Sequence, residues 1–190
     1  MTKFSANLGF LWTELALPDA IEAAAAAGFD AVECHWPYDI PSQDVVKALQ
    51  KTGMKMLGIN TVRGNAETGD SGLSAVPGRE VEARAAIDQA IDYAAEISAL
   101  NVHVMAGRAS GKDAHATFVS NLRHASVAAA AHGIGILIEP INSYDIPGYF
   151  LNTTGQARDI IAEVGADNVK LMFDCYHVQL IEGDLSHRLE

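Results

Sequence analysis

Apolar residues along the chain gather into short runs, and longer stretches with a helical repeat separate them. Continuous apolar runs such as V-H-V-M-A, I-L-I-E and L-M-F-D suit strands covered on both faces, as in parallel sheets. The runs predict six strands, at Phe4–Phe10, Ala31–Trp36, Lys55–Thr61, Asn101–Gly107, Gly135–Ile141 and Lys170–Tyr176.

Helical spacing fills the gaps. Pro18 opens a first helix where a missing N–H costs nothing, and Gly28 stops it. A second runs from about Ser42 to Lys51, with Gly53 behind it. A third, from about Gly78 to Leu100, puts Ile87, Ile91, Ala94 and Ser98 on one face, with Glu80 and Arg84 one turn apart for pairing. A fourth, from about Asp113 to His132, carries Phe118, Leu122, Ala125 and Ala129 as its stripe. A fifth follows Thr153 or Thr154 as cap, buries Ile160, Ile161 and Val164, and ends at Gly165. A sixth is expected to begin near Asp184.

Repeated βα units fit either an open doubly wound sheet or a (β/α)₈ barrel. The first strand leads into L-G-F-L-W-T-E, without the glycine signature of a dinucleotide site. Strands start roughly every 33 residues, and eight such units would need roughly 260, within the barrel range. The expectation is a single α/β domain of TIM-barrel type with about six of the eight units, the last two lacking. The irregular stretch Val62–Pro77 follows the third strand, where long loops build or cover active sites.

Hydrophobic residues make up 49% of the 190, enough for a sizeable core. The net charge of −11, without basic clusters, argues against a nucleic-acid partner. Cys34 and Cys175 form no C-x-x-C pair and suggest no disulfide framework, so a reducing cytoplasm is expected, with both thiols as small buried hydrophobes. The N-terminal stretch lacks a signal-peptide core, and no run reaches the ~18 apolar residues of a membrane span.

Ligands of parallel α/β folds bind at the C-terminal ends of strands. Those ends present Asn7 and Trp12; then Glu33, His35, Trp36 and Tyr38; then Asn60 and Arg63; then His103, Glu139, and finally Asp174 with His177. Glu139 closes the run G-I-L-I, so its carboxylate must be paired, metal-bound or protonated. Asp174 has the same placement on the next strand. Neighbouring strands lie ~4.8 Å apart, so the two could share one divalent cation. His177 suits a ligand or a substrate hydrogen-bond donor. His103 suits a substrate contact or a satisfied core histidine. Arg79 could hold a substrate carboxylate bidentately, or be a solvated charge. His115, His124, His132 and His187 fall on helix surfaces or ends.

Several stretches resemble the hydroxypyruvate isomerase family and its 2-oxo-tetronate isomerase relatives. They are G-L-S-A-V-P-G-R-E (72–80), H-V-M-A-G (103–107), I-E-P-I-N-S-Y-D-I-P-G-Y-F-L-N-T-T (138–154) and F-D-C-Y-H-V-Q (173–179). A-N-L (6–8) and G-F-D-A-V-E with P-Y (28–38) fit as well. The resemblance implies a xylose-isomerase-like (β/α)₈ barrel. It implies interconversion of hydroxypyruvate and 2-hydroxy-3-oxopropanoate (tartronate semialdehyde), a reaction of glyoxylate metabolism. It further implies two glutamates for proton transfer and a divalent cation, Mg²⁺ or Mn²⁺. Carried over, Glu139 is the catalytic residue and a metal ligand, and Asp174 is the second ligand. His177, with His103, Asn60 and Arg79, is expected on the side of a small 2-oxo or hydroxy acid substrate.

In that family the third ligand and the second glutamate come from the seventh and eighth strands. The expectation is therefore a C-terminally truncated isomerase, its two edge strands exposed or covered by homo-oligomerisation. The alternatives are a 2-oxo-tetronate isomerase, a ketose 3-epimerase, or a non-catalytic binder of metal or sugar acid.

Overall fold

A computed structural model describes residues 2–189. Seven parallel strand segments alternate with helices. They are β1 (Ser5–Asn7), β2 (Ala31–Glu33), β3 (Lys55–Met56), β4 (Ile59–Asn60), β5 (Asn101–His103), β6 (Gly135–Ile138) and β7 (Val169–Leu171). The helices are α1 (Leu17–Ala26), α2 (Ser42–Thr52), α3 (Glu80–Glu96), α4 (Gly111–Ala130), α5 (Thr154–Val164), α6 (Cys175–Ile181) and α7 (Leu185–Leu189).

β1, β2 and β3 pair in that order, as do β4 to β7, all parallel. β3 and β4 are the predicted third strand, bent at Leu57–Gly58. Its first half pairs with β2 and its second with β5. Backbone bonds from Cys34 to Gly58 (3.2 Å) and from Asn60 to His35 (2.8 Å) carry the arc across the bend. The six predicted strands are thus present, each shorter than its apolar run. Beyond each ladder the chain turns outward to form the rim.

The arc's apolar side chains pack beneath helices whose stripes follow the predicted period. Phe118, Leu122, Ala125 and Ala129 of α4 are fully buried, as are Ile87 and Ala94 of α3 and Ile160 of α5. Removing such surface from water, at about 25 cal/mol per Å² of apolar area, is the main stabilising term. Ser98 leaves the predicted stripe: it lies beyond α3, exposed, at φ 56°. Arg84 does not form the predicted pair with Glu80. Its guanidinium reaches α4, donating to Asn121 Oδ1 (3.2 Å) and Ser120 Oγ (3.1 Å), which ties α3 to α4.

The sixth strand needs correction. Pairing ends at Leu171, and Cys175–Ile181 is a helix. Asp174 is its N-cap, with Oδ1 accepting from the N–H of Tyr176 (2.7 Å) and His177 (3.3 Å). Such a cap satisfies backbone donors that the first helical turn leaves free. As a result Cys175 is exposed rather than buried, while Cys34 is buried as expected. The predicted helix near Asp184 is α7. No helix is long and apolar enough to cross a membrane. Among the described residues, β1 and β7 each have a single hydrogen-bonded neighbour.

Candidate active site at the strand ends

Glu139 follows β6 directly and is largely buried, its side chain 12% exposed. Asp174 and His177 come from the β7–α6 joint. Each of the three offers a ligand atom, and these atoms lie within 4.8 Å of one another. Burial, with smaller contributions from the carboxylates of Asp174 and Glu33, raises the Glu139 pKa to about 8. Burial likewise raises that of Glu33, and Asp174 adds to it, while a hydrogen bond from Asn7 opposes both. Asn7 and Glu33 are register partners across β1 and β2. Three carboxylates, one largely buried and two partly so, therefore act on one another, and such crowding favours a neutralising cation.

His177 is held by a network that fixes its ring. Asn142, 1% exposed, accepts from the N–H of Tyr144 and Asp145 through Oδ1, both at 3.0 Å. That leaves its Nδ2 as donor, to Asp145 Oδ2 (2.9 Å) and to His177 Nδ1 (2.8 Å). The Asn142 backbone N–H also points at Nδ1, at 3.4 Å. A ring nitrogen that receives two donors is an acceptor, so this network assigns the proton to Nε2. The free face of His177 is thus an N–H donor.

His103 ends β5, its Nδ1 3.8 Å from Glu139 Oε2. Both ring nitrogens are buried with no hydrogen-bond partner among the described residues. Of the two readings of His103, the satisfied core histidine is therefore not what the fold supplies. Burial lowers its proton affinity to about 3, helped by the nearby rings of His35 and His177. Tyr149, buried behind Glu139, accepts from the Ala106 N–H through its hydroxyl at 2.9 Å.

Of the remaining predicted residues, Asn60 is the register partner of His103, and its carbonyl accepts from the Tyr38 hydroxyl. Arg79 is engaged elsewhere. Its guanidinium pairs with Asp70 (2.8 Å) and with Glu82 (2.8 and 3.2 Å), pinning the 62–77 loop to α3. That loop also bridges to the end of β5 through Gly72 and Ala106. A Cβ on Gly107 would overlap the Gly72 carbonyl, so the close approach requires glycine there. Three of the surface histidines pair with acids: His115 with Glu163, His124 with Asp88, and His187 with Asp184.

Two residues that shape the site, Asn142 and Glu33, stand outside the catalytic, metal and substrate residues expected from the sequence. Asn142 carried a signal, since N-S-Y-D is the pattern of a side chain that caps its own turn. Glu33 was visible as a strand-end acid, but only the fold shows that its charge reaches Asp174 and Glu139.

Comparison with known proteins bears on the fold and the family. The sequence profile of the xylose isomerase-like TIM barrel family matches residues 21–189. A 2-oxo-tetronate isomerase from Cupriavidus necator is 43% identical, over all of this chain and 75% of that protein. A hydroxypyruvate isomerase from Escherichia coli is 36% identical over the same shares. Among solved structures, one titled AP endonuclease, family 2, from Brucella melitensis superposes with a TM-score of 0.95 at 33% identity, over 100% of this chain and 74% of that one. A D-psicose 3-epimerase shares the fold at a TM-score of 0.78 and 20% identity, over 96% and 66% of the two chains. With parallel strands delivering their polar ends to one rim, and with similarity along the whole of this chain to three quarters of proteins named as isomerases, the chain belongs to the xylose isomerase-like TIM barrel family.

Proposed function

We propose that the chain is an isomerase of short 2-oxo acids, interconverting hydroxypyruvate and 2-hydroxy-3-oxopropanoate with a divalent cation, Mg²⁺ or Mn²⁺, held by Glu139 and Asp174. The observation that carries this reading is the buried Glu139 carboxylate, within 4.8 Å of ligand atoms of Asp174 and His177. The donor set fits a hard cation, because carboxylate oxygens suit Mg²⁺ and Mn²⁺. Asp174 uses Oδ1 as a helix cap and keeps Oδ2 for a ligand. When bound, the cation would polarise the substrate carbonyl and stabilise negative charge on its oxygen.

The chain's own groups account for the proton movements. Hydroxypyruvate must lose a proton from C3 and gain one at C2, while one proton passes from O3 to O2. Glu139 is the base and returns the proton to the adjacent carbon of the enediol on the same face. A largely buried carboxylate beside the strand ends is placed to take the proton from one carbon and return it to the next. His177 faces the oxygens with Nε2–H, donating to O2 and recovering a proton from O3. Asn142 holds that tautomer. His103, beside Glu139, has one N–H without a partner, and a substrate oxygen that reached it would satisfy that donor.

The same chemistry serves a four-carbon 2-oxo acid, and the 43% identical relative named 2-oxo-tetronate isomerase supports that second substrate. Deuterium exchange read by NMR in D₂O tests both. Hydroxypyruvate with Mg²⁺ or Mn²⁺ should acquire deuterium at carbon and form the aldehyde. Glu139→Gln should lose turnover by about 10³-fold or more, since general base catalysis itself contributes 10²–10⁴-fold. A wild-type chain inert toward hydroxypyruvate and 2-oxo-tetronate, or a Glu139→Gln variant as fast as wild type, would sink the reading.

A further inference from the structure

An acidic pocket that takes an acidic substrate needs a cation to receive the substrate's carboxylate. Glu33, Glu139 and Asp174 all carry the wrong sign for that. Three arginines lie beyond the strand ends, and they are not equivalent. Arg79 has its donors committed to Asp70 and Glu82. Arg108 is exposed, beside Gly69 of the 62–77 loop. Arg63 is half-buried and has no carboxylate partner among the described residues.

Arg63 is nevertheless held in place. Its guanidinium carbon lies 3.8 Å from the centre of the Trp36 ring. The Trp36 indole is itself fixed, donating from Nε1 to the Thr61 carbonyl at 3.1 Å. A guanidinium stacked by its face on an aromatic keeps its edge N–H groups free for a planar carboxylate. The next ring along the rim is His35, 5.1 Å from Trp36. His35 packs over Gly9, where any Cβ would overlap the imidazole. Burial, and after it the Arg63 charge, lowers the His35 proton affinity. His103 lies 3.8 Å from Glu139. Arg63 follows Asn60 by three residues, and Asn60 is the register partner of His103, which places Arg63 at the same strand ends as Glu139.

We infer that Arg63, laid on the Trp36 indole, binds the substrate's carboxylate and sets the preference for acidic over neutral ketoses. This rests on the 2-oxo acid reading above and names the group that recognises the acid. Arg63 positions the substrate and takes no part in the proton transfer.

The test is calorimetric binding of tartronate (2-hydroxymalonate) to the whole chain in Mg²⁺, with dihydroxyacetone as a neutral probe of similar size. Arg63→Met should weaken tartronate on the order of 10- to 100-fold, the usual range for losing a hydrogen bond to a charged group. Dihydroxyacetone binding should change by less than about 3-fold, because it makes no such bond. Arg63→Lys should recover part of the loss, since an ammonium keeps the charge but not the fork or the stack. Arg79→Met and Arg108→Met should bind tartronate like wild type. Three results overturn the proposal: wild-type affinity in Arg63→Met, the main loss appearing in Arg79→Met or Arg108→Met, and no tartronate binding by wild type. Should Arg63→Met fail to fold by circular dichroism, Arg63→Lys decides, and unchanged affinity there overturns the proposal. Arg63-dependent tartronate binding without hydroxypyruvate turnover would instead remove the isomerase reading and leave Arg63 as an acid-binding residue.

Discussion

His177 and His103 face the same carboxylate, Glu139, from opposite conditions. His177 meets partners built for it: a buried asparagine, fixed by its own turn, delivers two N–H groups to Nδ1. His103 meets none. It ends a strand whose register neighbours are Asn60 and Leu137, and the ladder has already taken the backbone donors around it. One histidine is oriented by the fold, and the other keeps its hydrogen-bonding capacity unused. Residue type is the same in both cases; the surroundings decide what each ring can do. A partnered imidazole is a positioned donor, whereas an unpartnered buried one costs stability until something binds.

Breaking the partnered side should give the largest effect. Asn142→Leu removes the side-chain donor that holds the Nε2–H tautomer of His177. We expect kcat/KM to fall by about 10²-fold, within the range for disabling a positioned acid or base. The pH profile should change shape as well, since the ring is then free to take either tautomer. The fold should lose about 1–3 kcal/mol, because the N–H groups of Tyr144 and Asp145 lose their acceptor. Steady-state kinetics across pH and thermal melts check the two halves separately. Unchanged kinetics in a folded Asn142→Leu variant would show that the network does not control His177.

The difference between the histidines was only partly legible in the sequence. Glu139 and Asp174 could be found because each ends an apolar run, and that pattern depends on nothing distant. The helical stripe through Phe118 and Leu122 was legible for the same reason. The stretch D-C-Y-H was harder. Its apolar approach made it look like continuing strand, yet Asp174 starts a helix there and turns Cys175 outward. The solitude of His103 could not be read at all, since it depends on which groups the neighbouring strands bring within reach. Nor could the occupation of Arg79 by Asp70, nine positions away, which needs the 62–77 loop to fold back. The family resemblance supplied the reaction type, and the fold supplied the surroundings that distinguish one histidine from another.

Acid and alkali should separate the two buried groups in the metal-free chain. The His103 proton affinity is lowered in the fold from 6.5 to about 3. The unfolded chain therefore takes up that proton first, and stability is lost as pH falls from about 6.5 toward 3. His103→Met should flatten this acid limb. Glu139 is shifted the other way, from 4.5 up to about 8. The unfolded chain gives up that proton first, so stability is lost as pH rises from about 4.5 toward 8. Glu139→Gln should flatten the alkaline limb, with its advantage in melting temperature vanishing near pH 5. Melts in EDTA from pH 4 to 9 read both limbs. Parallel curves for wild type and either variant would mean that the variant's group is not shifted as stated.

The smallest expected effect is the sharpest test of the comparison, because it turns on sign. At neutral pH and without metal, His103→Met replaces two unpartnered buried nitrogens with an apolar side chain of similar volume. Removing polar atoms that make no bond should stabilise the fold by about 1 kcal/mol. His177→Met removes an acceptor that two donors already use, and should destabilise by about 1–2 kcal/mol as those donors are left unpaired. Chemical denaturation measures both. Opposite signs would establish that the rim spends stability at His103 to keep a site open while it gains stability at His177 to aim one. A loss of stability in both variants would mean that His103 has a partner after all, and the role given to it as a free donor or acceptor for substrate would have to be withdrawn.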